Sequence, residues 1–208
     1  MKKLAFIIAV CALIAVPVRA DMILNGSFEE GDSIPAGSFL TLNPGSEAID
    51  DWTVIGKGVK VIDYIGGYWQ AADGVRSLDL NGNPGPGGVT QVISTNIDDT
   101  YLVTFSMAGN PDGGPVIKTM DVSAIGTTTQ TATFTFNTTG KSKTNMGWTQ
   151  YDWTFVADAD LTTLQFMSTT GTAYGPALDM VSVVPIPAAV LIGMLGLGVA
   201  GLKLRKYV

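Results

Sequence analysis

The sequence predicts an all-β fold, an antiparallel β-sandwich or jelly roll, and three observations carry that expectation. Apolar residues recur at every second position in one run after another, which is the period of a strand with one buried face. The runs are short and are broken by Gly, Pro and Asn, residues that supply the special backbone angles of turns. Between Asp21 and Val184 no long stretch carries a 3.6-residue apolar stripe, so the buried faces must cover one another as sheets.

The candidate strands follow in chain order. MILNGSF (22–28), WTVIG (52–56), KVIDYI (60–65), RSLDLNG (76–82) and VTQVIST (89–95) come first. YLVTFSM (101–107) then puts Tyr101, Val103, Phe105 and Met107 on one face. TATFTFNTT sets Phe134 and Phe136 opposite Thr133 and Thr135, and QYDWTFVAD groups Tyr151, Trp153 and Phe155. LTTLQFMS (161–168) and ALDMVSVV (177–184) complete the set. NGNPGPGG (81–88) and GNPDGGP (109–115) are rigid turns rather than an internal repeat.

Both ends of the chain are oily. Met1, Lys2 and Lys3 make a short positive start, and Leu4 to Val16 is an apolar run of about 13 residues, the length of a secretory-signal core. Val18-Arg19-Ala20 offers small residues where signal peptidase inspects the chain. Residues 1–20 are therefore expected to be a signal helix, cut after Ala20. Cys11, the only cysteine, lies inside it, so the mature domain, 21–184, has no disulfide and needs a core of its own.

At the far end, Pro187 to Leu202 is an uncharged stretch of about 16 residues, a helix of roughly 24 Å. That is marginal for a hydrocarbon core roughly 30 Å thick and calls for snorkelling by Lys203 and Arg205. Lys203, Arg205 and Lys206 are expected to stay cytoplasmic as a basic stop, leaving the sandwich outside. Pro185 and Pro187 are expected to end the last strand and to leave an exposed, extended segment.

All eighteen carboxylates lie between Asp21 and Val184, against six cations, a net of −12. Nucleic acid is excluded as a partner, whereas neutral glycans and divalent cations are compatible. The chain has no histidine, so neither a Ser-His-Asp triad nor a histidine zinc site can form. NGNPGPGG lacks the Lys-Ser/Thr ending of a phosphate loop.

ILNGSFEEG, AIDDWTVIG, VIDYIGGYWQAADGVRSLDLNG, AGNPDGGP, KSKTNMGWTQYDWTF and YGPALDMVSV, in that order, resemble the bacterial choice-of-anchor C domain. The resemblance implies an exported, galactose-binding-like jelly-roll sandwich similar to carbohydrate-binding modules, without enzymatic activity and joined to the cell surface by a C-terminal signal. Residues 185–208 resemble a PEP-CTERM sorting signal: a proline motif, an apolar helix and a basic tail. The motif is Val184-Pro185-Ile186-Pro187-Ala188, similar to the valine-proline-apolar-proline-alanine class, with Ile186 where glutamate usually stands. It implies an exosortase-like processing enzyme, transient anchoring in the membrane, and a final place at the cell surface or in the extracellular matrix.

The resemblance also implies a structural calcium ion shared by Glu29, near the first strand, and Asp179, in the last, since Ca2+ takes several hard oxygen ligands. Trp52, Tyr64, Tyr68, Trp69, Trp148 and Tyr174 are candidates to stack on sugar rings. The loop beginning at Gly66 and Gly67 combines Tyr68 and Trp69 with Gln70, Asp73 and Arg76, an apolar platform beside hydrogen-bonding groups. The sequence thus points to a non-catalytic protein that meets extracellular polysaccharide or cell-wall glycan. A structural matrix protein and a carboxylate-dependent glycan hydrolase, served by pairs such as Asp50/Asp51 and Asp98/Asp99, remain the alternatives.

Overall fold

The computed structural model describes residues 20–187, and among them there is no helix. The expected signal helix, the apolar helix after Pro187, Ala188 and the basic stop at Lys203, Arg205 and Lys206 lie outside the described residues.

Eleven strands form the domain: β1 (Ser38–Leu42), β2 (Thr53–Gly56), β3 (Ile62–Gly66), β4 (Arg76–Asp79), β5 (Gly87–Ser94), β6 (Thr100–Gly109), β7 (Ile117–Ile125), β8 (Thr129–Asn137), β9 (Thr149–Val156), β10 (Leu161–Ser168) and β11 (Pro176–Ile186). They pair into a six-stranded sheet, β1-β3-β4-β11-β6-β9, and a five-stranded sheet, β2-β5-β10-β7-β8. Every named pair is antiparallel.

Period-two alternation explains the core. Tyr101, Val103, Phe105 and Met107 of β6 are all buried on one face, as their spacing predicts. Phe105 meets Phe166 of β10 edge-on at 5.4 Å between ring centroids and Phe134 of β8 at 5.0 Å, which locks the two sheets together. Tyr64, Leu78 and Leu178 close the six-stranded side, and Val89, Leu164 and Val122 the other.

Two local expectations are corrected, and one strand is added. MILNGSF is not a strand. Asn25 and Phe28 take left-handed backbone angles (φ 49° and 59°), and the Asn25 side chain donates to the Glu30 and Asp50 carbonyls, so the segment is a turn built around its asparagine. β7 is a central strand that its sequence hides, because Lys118 occupies an inward position and is fully buried. Its ammonium donates to the carbonyls of Gly113 and Tyr174, both at 2.7 Å. Finally, β11 does not stop at Val184. Pro185 stands opposite Tyr101 and Ile186 opposite Thr100, so half of the proline motif is part of the sheet, not a free segment.

Candidate functional site: an acidic cleft on the outer face of the six-stranded sheet

Residues opposite one another in a ladder share a face. Tyr64, Leu78, Leu178 and Met107 therefore face the core, and Asp63, Ser77, Asp79, Ala177, Asp179, Ser106 and Ala108 face away from it. An outer face is normally wet, yet Ser77, Asp79, Asp179 and Ser106 are buried. Local loops cover them.

The chief cover is the chain between β3 and β4, Gly67–Val75, which folds back over the outer face. Trp69, only 4 % exposed, lies against the sheet and donates its indole N–H to Ser77 Oγ at 2.8 Å. Asp179 Oδ2 accepts the amides of Ala72 and Asp73 at 2.8 and 3.1 Å, and its Oδ1 accepts the Met180 amide at 2.7 Å. Glu29 Oε1 accepts the amides of Val75 and Arg76 at 2.8 and 2.7 Å. The Gln70 carbonyl accepts the Trp148 indole N–H at 2.8 Å, while the Gln70 amide donates to the Lys143 carbonyl at 2.8 Å.

Beside this loop is a cleft of about 390 Å3, lined by residues of β1, β3 and β4 and by the loops at that end of the sheet. Asp63 lies opposite Asp79 in the β3–β4 register and forms part of the floor. Phe39, Tyr68 and Tyr174 supply aromatic walls. Phe39 and Tyr68 meet edge-on at 5.3 Å, and Phe39 and Tyr174 are 38 % and 40 % exposed. Lys60, Asn83, Asn110 and Asp112 bring polar groups to the edge. Asp112 accepts the Tyr68 hydroxyl at 2.7 Å and pairs with Lys143 at 3.0 Å, and the Lys143 ammonium sits 3.7 Å from the Tyr68 ring centre.

The floor is electrostatically unusual. Asp79 is wholly buried; Oδ1 accepts the amides of Asn81 and Gly175, and Oδ2 accepts the Asn110 side chain at 2.7 Å. Burial outweighs these bonds and, with the Asp63 charge adding to it, pushes the Asp79 carboxyl up to about 8. Burial pushes Asp63 up to about 6, and the Thr41 hydroxyl beside it offsets part of the rise. Asp63 Oδ1 is enclosed with no donor to meet it, an arrangement that a proton on either carboxyl relieves. Gly175 is required here, since a Cβ would lie 2.2 Å from Asn81 Oδ1 and 2.6 Å from Asp79 Oδ1.

A model of the family described as "Protein of unknown function (DUF642)" matches residues 21–184. The chain belongs to the DUF642 family. Among curated proteins, halomucin of Haloquadratum walsbyi (strain DSM 16790 / HBSQ001) is 30 % identical over 172 residues, which is 80 % of this chain and 2 % of halomucin. The chain therefore spans a small fraction of that relative. Among solved structures, TmCBM61 in complex with beta-1,4-galactotriose superposes with a TM-score of 0.53 at 10 % identity, covering 80 % of this chain and 99 % of that one. An arabinose-bound α-L-arabinofuranosidase, MgGH51, superposes with a TM-score of 0.51 at 16 % identity, over 80 % of this chain and 26 % of that one. The DUF642 domain is thus an all-β antiparallel sandwich resembling the jelly rolls of carbohydrate-binding modules.

Within it, the residues singled out from sequence are dispersed. Tyr68 and Trp69 reach the cleft, Trp69 as a buried part of its wall. Gln70 faces a separate shallow depression with Trp148, and Asp73 is exposed on the outside of the loop. Arg76 stands opposite Gly66, on the same face as Tyr64, and its guanidinium bonds the Tyr64 hydroxyl; it is turned away from the cleft. Trp52 and Tyr64 are core residues, and Tyr174 joins the cleft. Glu29 and Asp179 do converge, but on the same loop. Three of their oxygens face N–H hydrogens, the wrong polarity beside a cation, so this donor set fits a clamp on the chain and does not fit a calcium ion. Asp63, Asp79, Asn110 and Asp112 were not among the sequence candidates. The available signal was a carboxylate flanked on both sides by apolar residues in two strand runs, KVIDYI and RSLDLNG.

Proposed function

We propose that this chain is an exported, non-catalytic glycan-binding protein whose binding site is the cleft over Asp63. One observation carries the reading. The exposed rings of Phe39 and Tyr174 and the half-buried ring of Tyr68 stand around a carboxyl floor in a preformed cavity of 390 Å3. A sugar ring offers an apolar C–H face to an aromatic plane and hydroxyl donors to carboxylates and amides. The size falls within the roughly 300–1,000 Å3 of small-ligand sites. TmCBM61, which shares the fold, is solved with a galactotriose, and that supports a neutral glycan as the first class to try.

Catalysis is disfavoured by the same geometry. A glycosidase needs two carboxyls flanking the bond, whereas Asp79 has both oxygens engaged and is wholly buried. Asp112 is likewise held by Tyr68 and Lys143. Asp63 is left as a single approachable carboxyl.

Export and sorting belong to this reading through the sequence: the positive, apolar start for signal peptidase, and the Val184–Ala188 motif, apolar stretch and Lys203/Arg205/Lys206 tail for an exosortase-like enzyme. The destination is the cell surface or extracellular matrix.

The test is retention of the protein on a panel of neutral and acidic polysaccharides, repeated with Tyr68→Ala and Asp63→Ala. Losing a stacking ring or a hydrogen-bonded carboxyl is expected to weaken binding by roughly 10-fold or more, about 1–3 kcal/mol, with no fall in melting temperature for Asp63→Ala. Retention on no glycan, or equal retention by both variants, would overturn the assignment.

A further inference from the structure

We propose that the cleft is a blind pocket for the end of an uncharged glycan chain and rejects the chain's interior; the inference rests on the glycan-binding reading and sharpens its substrate class. A polysaccharide lying across the outer face, from β1 towards β9, would have to pass over Ser77, Asp179 and Ser106. Those three residues are 0 %, 0 % and 7 % exposed, and Gly67–Val75 is bonded directly to the first two. The loop is fastened along its length. Trp69 is bonded to Ser77, Ala72 and Asp73 to Asp179, Gln70 to Lys143 and Trp148, and Val75 to Glu29. Beyond it lie separate depressions, one lined by Ser106, Trp148, Gln150 and Met180 and one by Lys143 and Thr144, with Gln70 at the edge of both.

The next side of the pocket is shut as well. The Tyr68 hydroxyl bridges to Asp112, and Lys143 closes over both, tying the β3–β4 loop to the loop that follows β6. Lys118 draws the Gly113 and Tyr174 carbonyls together beneath the remaining rim. A site of 390 Å3 with an end wall of this kind holds about one or two sugar residues. The net charge of −12 between Asp21 and Val184 disfavours a uronate.

The experiment is calorimetric titration of the full chain with ladders of β-1,4-galactan, β-1,4-xylan, β-1,4-glucan and α-1,6-glucan, each as disaccharide, trisaccharide, hexasaccharide and polymer. For whichever ladder binds, the stoichiometry should be one protein per chain end at every length, and affinity should stop rising beyond the trisaccharide. Borohydride reduction of the reducing end, or chemical capping of the non-reducing end, should abolish binding, and which treatment does so names the end. Stoichiometry that grows with chain length, or a polymer that binds with both ends blocked, overturns the end-pocket while leaving glycan binding intact. Binding of none of the ladders overturns both.

Discussion

Raising the pH should destabilise this protein between pH 6 and 8, and Asp79 is the main reason. Its carboxyl moves from an ordinary 3.8 to about 8 in the folded chain because burial penalises the charged form. A carboxyl whose folded pKa is raised keeps a proton that the unfolded chain has released. Its favourable contribution is therefore full below pH 3.8, falls as the pH climbs, and is lost once the pH has passed about 8. Each pH unit in that window is worth about 1.4 kcal/mol for one proton, so Asp79 alone removes about 2 kcal/mol between pH 6 and 8. Asp179, pushed up to about 7 by burial, adds up to about 1 kcal/mol over the same range. Asp63, raised to about 6, acts mostly below it. Urea unfolding at fixed temperature is the assay. With a slope of about 2 kcal/mol per molar, the midpoint should drop by roughly 1 M or more from pH 6 to pH 8. In Asp79→Asn the amide oxygen still accepts from Asn81 and Gly175, but the amide nitrogen meets Asn110. The variant should be about 1 kcal/mol less stable than the parent at pH 6, shed the Asp79 share of the slope, and so match or exceed the parent by pH 8. A midpoint that is flat or rises over this range, or a variant that keeps the parent's slope, would refute the reasoning.

Other perturbations separate wall, clamp and strut. Trp69→Ala should cost about 3–5 kcal/mol, because a buried indole and its bond to Ser77 are lost together, and thermal melts should register it. Tyr68→Ala should weaken glycan retention and also lower the melting temperature, by less than Trp69→Ala does, because its bond to Asp112 and its packing on Phe39 are lost. Asp179→Asn should loosen Gly67–Val75, read as faster amide hydrogen exchange at Ala72 and Asp73, whereas EDTA or added calcium should leave the melting temperature where it is; a clear rise with calcium would restore a metal to this position. Lys118→Met should cost about 1–3 kcal/mol by stranding the Gly113 and Tyr174 carbonyls, and a variant as stable as the parent would show that the buried ammonium is dispensable.

The sheet was legible in the sequence wherever one face is apolar and the other polar. Phe105, Phe134, Tyr151 and Phe155 lie inward as their period predicts, and the strands carrying them are β6, β8 and β9. β7 was not legible because an inward lysine breaks the pattern, and its partners, one carbonyl from the preceding loop and one from a distant loop, come together only once the chain has folded. The reverse failure occurred at MILNGSF, where the apolar spacing is right but Asn25 organises a turn through bonds to Glu30 and Asp50. The cleft was half legible. Tyr68 and Trp69 draw the eye as neighbouring aromatics. Asp63 and Asp79 read as outward strand carboxylates until a loop inserted between β3 and β4 is seen to cover their side of the sheet. Sequence adjacency also misled: Arg76 is only a few residues from Tyr68, yet the pleat turns it to the opposite face.

The two kinds of buried charge in this domain argue differently about its purpose. Lys118 is enclosed but bonded to the two carbonyls it joins, so its place is explained by shape alone. Asp63 and Asp79 are not explained that way. They face each other across one strand pair, one oxygen of Asp63 is enclosed without a donor, and both carboxyls are pushed up by burial, which is a cost to stability at neutral pH. A module that served only as matrix packing gains nothing from a facing pair of carboxyls whose contribution to stability is lost as the pH rises. The cost falls at the floor of a preformed, aromatic-walled cavity, and departures from good local packing are expected where a surface must recognise something. This favours the glycan-binding reading over the purely structural one, and it does so from the residues themselves, independently of any likeness in fold.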